Sequence, residues 1–342
     1  MHSVKDRQEA FRILSRSFSP RDQTAARAFL DREGSDYRAQ LFGLYLDNPF
    51  LTLTDDELAE IDAASGPMDR LISAREAAAR AQAPRHVVFC MPKSGSSFIQ
   101  SALQHALQLP FVSLTGYGSG PAGSDFGMNG REQELDELAL VKSSLLCPRG
   151  FVAQHHTRYT PYLALQLRRY GVAPIVTTRN IPDCIVSFDD MMIQWRKRAG
   201  RIRWISDAPF ALPLDYETLD AEARYTILTH SFGVWLVNFH VSWTRGRAQG
   251  LVSPLVLRYE DHVLDPDALV GVLSQALRLS DDQRQRLRAY VQAPDRVSAR
   301  FNVGRAGRGA EQVPAHLRAF LADYAALFRG DLGEDDLAYL VG

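Results

Sequence analysis

Apolar residues follow two rhythms along this chain, and the change between them falls near Pro84. Up to residue 83 the rhythm is helical. Phe11, Leu14 and Phe18 recur at helical spacing, as do Ala25, Ala26, Phe29 and Leu30. Thr54-Asp55-Asp56-Glu57, set between Leu53 and Leu58, has the form of a capping box with its hydrophobic staple. The segment 67–82 predicts one more helix, opening near Pro67. Beyond Pro84 short apolar runs of strand length appear: HVVFCM at 86–91, GFVAQH at 150–155, APIVTTR at 173–179 and PLVLRY at 254–259. Helical patterns lie between them, the first being Phe98, Ile99, Ala102, Leu103, Ala106 and Leu107. Strands interleaved with helices predict an α/β domain over 84–342, a three-layer fold with a mostly parallel sheet flanked by helices. An accessory helical segment over 1–83 precedes it. Sheets of this kind hold ligands at the carboxyl ends of their strands.

Composition narrows the partners. Hydrophobic residues make up 46% of the 342 and charged residues 23%, with a formal net charge of -1. No global field favours nucleic acid or an anionic membrane, so any anionic ligand must be held by a local site. Only four of the 39 basic residues are lysines, which makes Lys93 conspicuous inside a glycine-serine loop. The three cysteines are odd in number and widely spaced, as in a reducing compartment. The N-terminus lacks the apolar core of a signal peptide, and no stretch reaches transmembrane length. The expectation is a cytoplasmic protein with no bound metal, because neither H-E-x-x-H nor C-x-x-C occurs. The absence of a Gly-x-Ser-x-Gly elbow argues against a serine hydrolase.

The chemistry concentrates behind the strands. Pro92-Lys93-Ser94-Gly95-Ser96-Ser97 separates the first apolar run from a helix, where unpaired N–H groups and the positive end of the helix dipole favour phosphate. The lysine precedes the glycine, so this is not a Walker A loop, and a kinase or ATPase loses most of its support. Behind the third run comes Arg179, followed eight residues later by Ser187 in VTTRNIPDCIVSF. A guanidinium forks two donors onto phosphate oxygens, and a serine further along the helix adds a third.

These two motifs, PKSGSSFIQ after a strand and Arg-x₇-Ser behind another, resemble those of the sulfotransferases that use 3′-phosphoadenosine 5′-phosphosulfate (PAPS). LVLRYEDHVLDP at 255–266 is similar to that family's strand ending in Tyr-Glu-Asp. FNVGRAGRG at 301–309 is similar to the segment that closes over its nucleotide. The resemblance spans about 86–190 and 254–329. It implies the following roles. Lys93, Ser94, Gly95, Ser96 and Ser97 hold the 5′-phosphosulfate, and Arg179 and Ser187 hold the 3′-phosphate. Gly304, Arg305 and Arg308 come from the closing segment, where Asn302-Val303-Gly304 stands in place of the Arg-Lys-Gly usual in the cytosolic animal members. Lys93 also stabilises charge on the leaving oxygen. A histidine behind the second strand acts as base, and His156 is favoured over its neighbour His155. PAPS is then a co-substrate released as adenosine 3′,5′-bisphosphate. The partner is an acceptor hydroxyl or amine on a saccharide, a lipid or another small molecule, with no nucleic acid involved; the oligomeric state stays open. A PAPS-binding protein without activity is one alternative, and a nucleotide-dependent kinase is the other.

Three further stretches bear on the acceptor. The loop 115–131 carries six glycines, and loops so long are commonly functional. MIQWRKRAGRIRW at 192–204 packs five basic residues and two tryptophans; a solvated helix end, a lid and a recruiting surface all fit it. Trp235, Phe239 and Trp243 fall at helical spacing and are either core or pocket lining.

Overall fold

A computed structural model describes residues 74–114, 135–199, 212–213, 215–294 and 305–342, with 138 and 195–199 described by their backbone alone. Residues 74–80 are helical; the rest of the expected N-terminal helical pattern, its capping box at Thr54 included, lies outside the described residues, as does the glycine-rich loop 115–131. From Ala81 onward the described residues belong to one compact unit.

Four strands form its sheet: β1 (Arg85–Cys90), β2 (Phe151–His155), β3 (Val172–Thr178) and β4 (Leu255–Arg258). Their order is β2-β1-β3-β4 and every pairing is parallel, which is the predicted α/β architecture. β1 and β2 are buried at every residue. Strands covered on both faces read as continuous apolar runs, not as alternation, which is why these were legible.

The two sheet faces are served by different helices. Val88 and Cys90 turn toward α1 (Ser96–Leu107), α7 (Pro266–Ala276) and α8 (Asp281–Gln292), whose Phe98, Ile99, Leu103, Leu269, Leu273 and Leu287 complete one core. Phe89 turns the other way and meets Trp243 of α6 (Val234–Ala248), ring centroids 4.8 Å apart. Between these lie α2 (Glu137–Leu146), α3 (Pro161–Arg169), α4 (Ile181–Ala199) and α5 (Ala221–Leu228). The chain ends in α9 (Arg308–Gln312), α10 (Ala315–Ala326) and α11 (Glu334–Val341).

Local chemistry sets the helix starts. Thr160 accepts the Leu163 N–H with Pro161 at the first helical position of α3. Asp265 caps α7 in the same way, and Ser280 with Gln283 forms a capping box on α8. Two segments wind as π-helical turns, Thr229–Gly233 ahead of α6 and Tyr259–Val263 directly behind β4. No described helix is long and apolar enough to cross a membrane.

Strand order determines where a ligand can sit. The chain leaves β1 for β2 on one side and returns to β3 on the other. The order therefore switches direction between β1 and β3, and the crevice outside their carboxyl ends is where open α/β sheets bind ligands.

Candidate functional site

The Lys93–Ser97 loop and Arg179 flank that crevice. Met91 N–H donates to the Thr177 carbonyl at 3.0 Å, extending the β1–β3 pairing into the loop. The backbone then turns through two left-handed residues, Lys93 at φ 74° and Gly95 at φ 77°. For a lysine this conformation costs on the order of 1 kcal/mol, so the surrounding contacts must enforce it. Gly95 has a second reason to be glycine. A Cβ there would stand 2.8 Å from Val263 and 3.2 Å from the Tyr259 ring, because the π-helical turn behind β4 braces the loop. Gly95 also precedes the first turn of α1, which has no side-chain cap. Its first N–H groups remain available to an anion.

Arg179 begins where β3 ends and joins the motifs. Its guanidinium donates to the Lys93 carbonyl at 3.0 Å and to the Arg305 carbonyl at 3.0 Å, and it lies 4.1 Å from the centre of the Tyr259 ring. Asp183, one turn along, stands 3.4 Å away. The side chain is only 7% exposed, yet its Nε has no hydrogen-bond partner. A buried cationic donor without an acceptor is costly and is what an anion would relieve. Ser187 sits two turns into α4 and is buried at 4% exposure. Its spacing places it on the Arg179–Asp183 face of the helix.

Asp183 is a residue to which the sequence alone assigned no role. Its carboxylate accepts the Gly307 N–H at 2.9 Å and the Gly309 N–H at 2.6 Å, fastening residues 305–309 over the start of α4. Gly309 comes so close that a Cβ would fall 2.4 Å from Pro182. Of the closing segment's arginines, Arg308 pairs with Asp190 at 2.8 Å and Arg305 pairs with Glu311. Their charges are thus turned to carboxylates, and it is the Arg305 carbonyl that meets Arg179. Gly304 lies outside the described residues, together with Asn302 and Val303.

Ser94 of the loop is tied to the sheet. Ser94 is fully buried, and its hydroxyl lies 2.6 Å from the Met91 carbonyl and 2.6 Å from the Thr177 hydroxyl. A carbonyl only accepts, so Ser94 gives its proton to Met91 and has none left for phosphate. Its hydroxyl anchors the loop to β3. Ser96 begins α1 and receives a hydrogen bond from Gln154 Nε2 at 2.7 Å, while Ser97 is half-buried beside it. Lys93 Nζ stands 3.6 Å from the Met191 sulfur.

The histidines lie behind β2. His155 ends the strand opposite Phe89, with Nδ1 3.4 Å from the Thr157 hydroxyl. His156 follows, with Nδ1 2.9 Å from the Cys90 carbonyl. That carbonyl requires a proton on Nδ1, so the neutral ring carries its lone pair on Nε2, the atom a general base uses. Both side chains are buried. Trp243 donates from Nε1 to the Thr157 carbonyl at 3.3 Å and packs near Tyr159. Phe239 and Trp243 are core residues, at 0% and 3% exposure; Trp235 packs on Phe239 at 5.5 Å.

No model of a known protein family matches this sequence, and no curated protein matches it either. What the site can do must be argued from its own groups. Among the described residues no cluster of three or more histidine, cysteine or acidic side chains is arranged to hold a metal ion. The basic-aromatic stretch 192–204 is described in its side chains only through Gln194, so its expected role lies outside the described residues.

Electrostatics beside the crevice come from burial. Glu260, behind β4, accepts the Asn180 N–H at 3.2 Å, and burial pushes its carboxyl above the usual range. Burial likewise pushes up the hydroxyl of Tyr339, which neighbours Glu260, and the thiol of Cys184 on α4.

Proposed function

We propose that this chain is a sulfotransferase that transfers a sulfuryl group from PAPS to an acceptor hydroxyl. The observation that carries the reading is the 3.0 Å hydrogen bond from Arg179 to the Lys93 carbonyl. Two anion-binding motifs 86 residues apart in sequence thereby meet at one switch point of the sheet. The residues fit a doubly anionic nucleotide: an uncapped helix start with Lys93 on one side, and a buried guanidinium with an unsatisfied Nε on the other.

PAPS supplies an activated sulfuryl group, and the protein's own groups do the rest. The first N–H groups of α1, with the Ser96 and Ser97 hydroxyls, hold the 5′-phosphosulfate. Arg179, with Ser187 along the same face, holds the 3′-phosphate. Lys93 offsets negative charge at the leaving oxygen, the kind of preorganised interaction that is strongest where water is excluded. His156, held by the Cys90 carbonyl, takes the acceptor proton at Nε2. The acceptor belongs to a saccharide, a lipid or another small molecule. The folded unit is read as acting in the cytoplasm.

Ligand-dependent unfolding tests the reading. Adenosine 3′,5′-bisphosphate is expected to raise the unfolding midpoint without magnesium, and ATP with magnesium is not. Stabilisation by magnesium-ATP and not by the bisphosphate would overturn the sulfotransferase assignment in favour of a kinase. Transfer of sulfuryl from PAPS, read by mass spectrometry of an acceptor extract, separates an enzyme from a silent binder.

A further inference from the structure

We propose that Gln154 is a positioning residue that sets the direction of the Ser96 hydroxyl at the anion site. This rests on the reading of the α1 start as the 5′-phosphosulfate site. Gln154 is the one amide side chain in the buried strand FVAQH and is 5% exposed. Its Nε2 lies 2.7 Å from Ser96 Oγ and 3.5 Å from the Cys90 sulfur. The Cys90 thiol is 3.2 Å from the His155 carbonyl, which can only accept, so the sulfur offers lone pairs toward Gln154. The sulfur therefore wants a donor, the Ser96 hydroxyl can accept one, and the amide nitrogen is the end that faces both.

The consequence lies in the proton count of Ser96. A serine hydroxyl has one proton and two lone pairs. By filling a lone pair from below, Gln154 leaves the Ser96 proton to be donated, and the first-turn N–H groups of α1 define where an acceptor would sit. Ser94, two residues earlier, is the internal contrast: its proton goes to Met91 and it serves the fold. The Cys90 carbonyl holds His156 as well, so a single buried chain of contacts joins the anion loop, through Gln154 and Cys90, to the proposed base.

Calorimetric titration of adenosine 3′,5′-bisphosphate into wild type, S96A, Q154M, the double variant and Q154E decides the matter. Loss of one hydrogen bond to a charged group weakens binding about tenfold. S96A and Q154M are each expected to lose about that factor, and the double variant no more than either alone. Q154E reverses the hydrogen bond at neutral pH and binds more weakly still. Its deficit relative to wild type shrinks as pH falls, because a protonated glutamate donates to Ser96 again. A merely structural Gln154 would show neither non-additivity nor recovery in acid. Wild-type affinity in Q154M or S96A, or a double variant that loses the product of the two factors, overturns the proposal. Should Q154M fail to fold, the pH response of Q154E carries the decision alone, and an unchanging deficit sinks it. A wild type that ignores the bisphosphate defeats the sulfotransferase reading first, and this inference with it.

Discussion

The two halves of the crevice are built from opposite materials. On the β1–β3 side, a backbone turn, a guanidinium and a carboxylate are tied together: Arg179 to Lys93 and Arg305, and Asp183 to Gly307 and Gly309. On the β2 side, His155 and His156 are buried, His156 against the Cys90 carbonyl, and Trp243 packs on Phe89 and near Tyr159. Holding an anion calls for fixed donors and charge, whose positions cost little to keep once the fold has set them. Moving a proton calls for a neutral imidazole in one tautomer, shielded from water. On the proposed reading the difference separates binding from chemistry along the sheet edge, so substitutions on the two sides should fail differently.

The largest expected effect lies on the histidine side. His156→Ala is predicted to lower sulfuryl transfer roughly 10²–10⁴-fold, the usual contribution of a general base, while retaining affinity for adenosine 3′,5′-bisphosphate. Single-turnover assays beside calorimetry separate the two quantities. Transfer preserved in His156→Ala would move the role to His155 and blur the division between halves.

On the anion side the failure should be one of binding. Arg179→Ala removes a forked donor and is expected to weaken the bisphosphate about 100-fold. The same nucleotide without its 3′-phosphate should lose less. Arg179→Lys is not expected to restore the preference, because an ammonium cannot reach the Lys93 carbonyl, the Arg305 carbonyl and a phosphate in one plane. Equal losses for both nucleotides would mean that Arg179 serves the fold and not the 3′-phosphate.

Next in size is the fastening of residues 305–309. Gly309→Ala drives a methyl to within 2.4 Å of Pro182, where rigid backbone cannot yield cheaply. A loss of about 1–3 kcal/mol in denaturant unfolding is expected, with weaker bisphosphate binding as the Arg305 carbonyl leaves Arg179. A fully stable Gly309→Ala would show that α9 rides loosely on α4.

How much of this was legible beforehand follows from physical range. The four strands were readable to within about a residue because β1 and β2, buried throughout, and the partly buried β3 and β4 are all mostly apolar. Lys93 and Arg179 were readable because charge directly behind a buried strand is anomalous locally. Which loops meet was not readable, since β2-β1-β3-β4 is a choice among pairings that local sequence does not encode. Ser94 and Ser96 look alike in PKSGSS, yet one faces β3 and the other an amide from β2. Asp183 finds Gly307 across 124 positions, and its only local signal was a carboxylate in the first turn of a helix behind an arginine. The lone glutamine of FVAQH was a comparable signal, a polar residue where burial forbids one without a partner.

The smallest expected effect distinguishes two carboxylates that border α11 and respond to pH with opposite signs. Asp336 is held below the usual carboxylate range by His240 and Arg258; Arg258 is hydrogen-bonded to it at 2.8 Å, whereas His240 stands 3.7 Å away. A depressed folded value means stabilisation that is present above the ordinary aspartate value of 3.8 and lost as pH falls through the folded one. Glu260 is the reverse. Burial raises its folded value, so its contribution is full below the ordinary glutamate value of 4.5 and is lost as pH rises through the folded value. The two windows adjoin without overlapping. Glu260→Gln keeps a carbonyl for the Asn180 N–H but cannot ionise, and is therefore expected to flatten the fall in stability above pH 4.5 while leaving the acid limb unchanged. Denaturant midpoints measured across that range provide the check. A Glu260→Gln variant that instead loses stability at neutral pH would mean the ionised carboxylate is wanted there, as a counter-charge to Arg179, and the anion side of the crevice would then contain a built-in competitor for its own ligand.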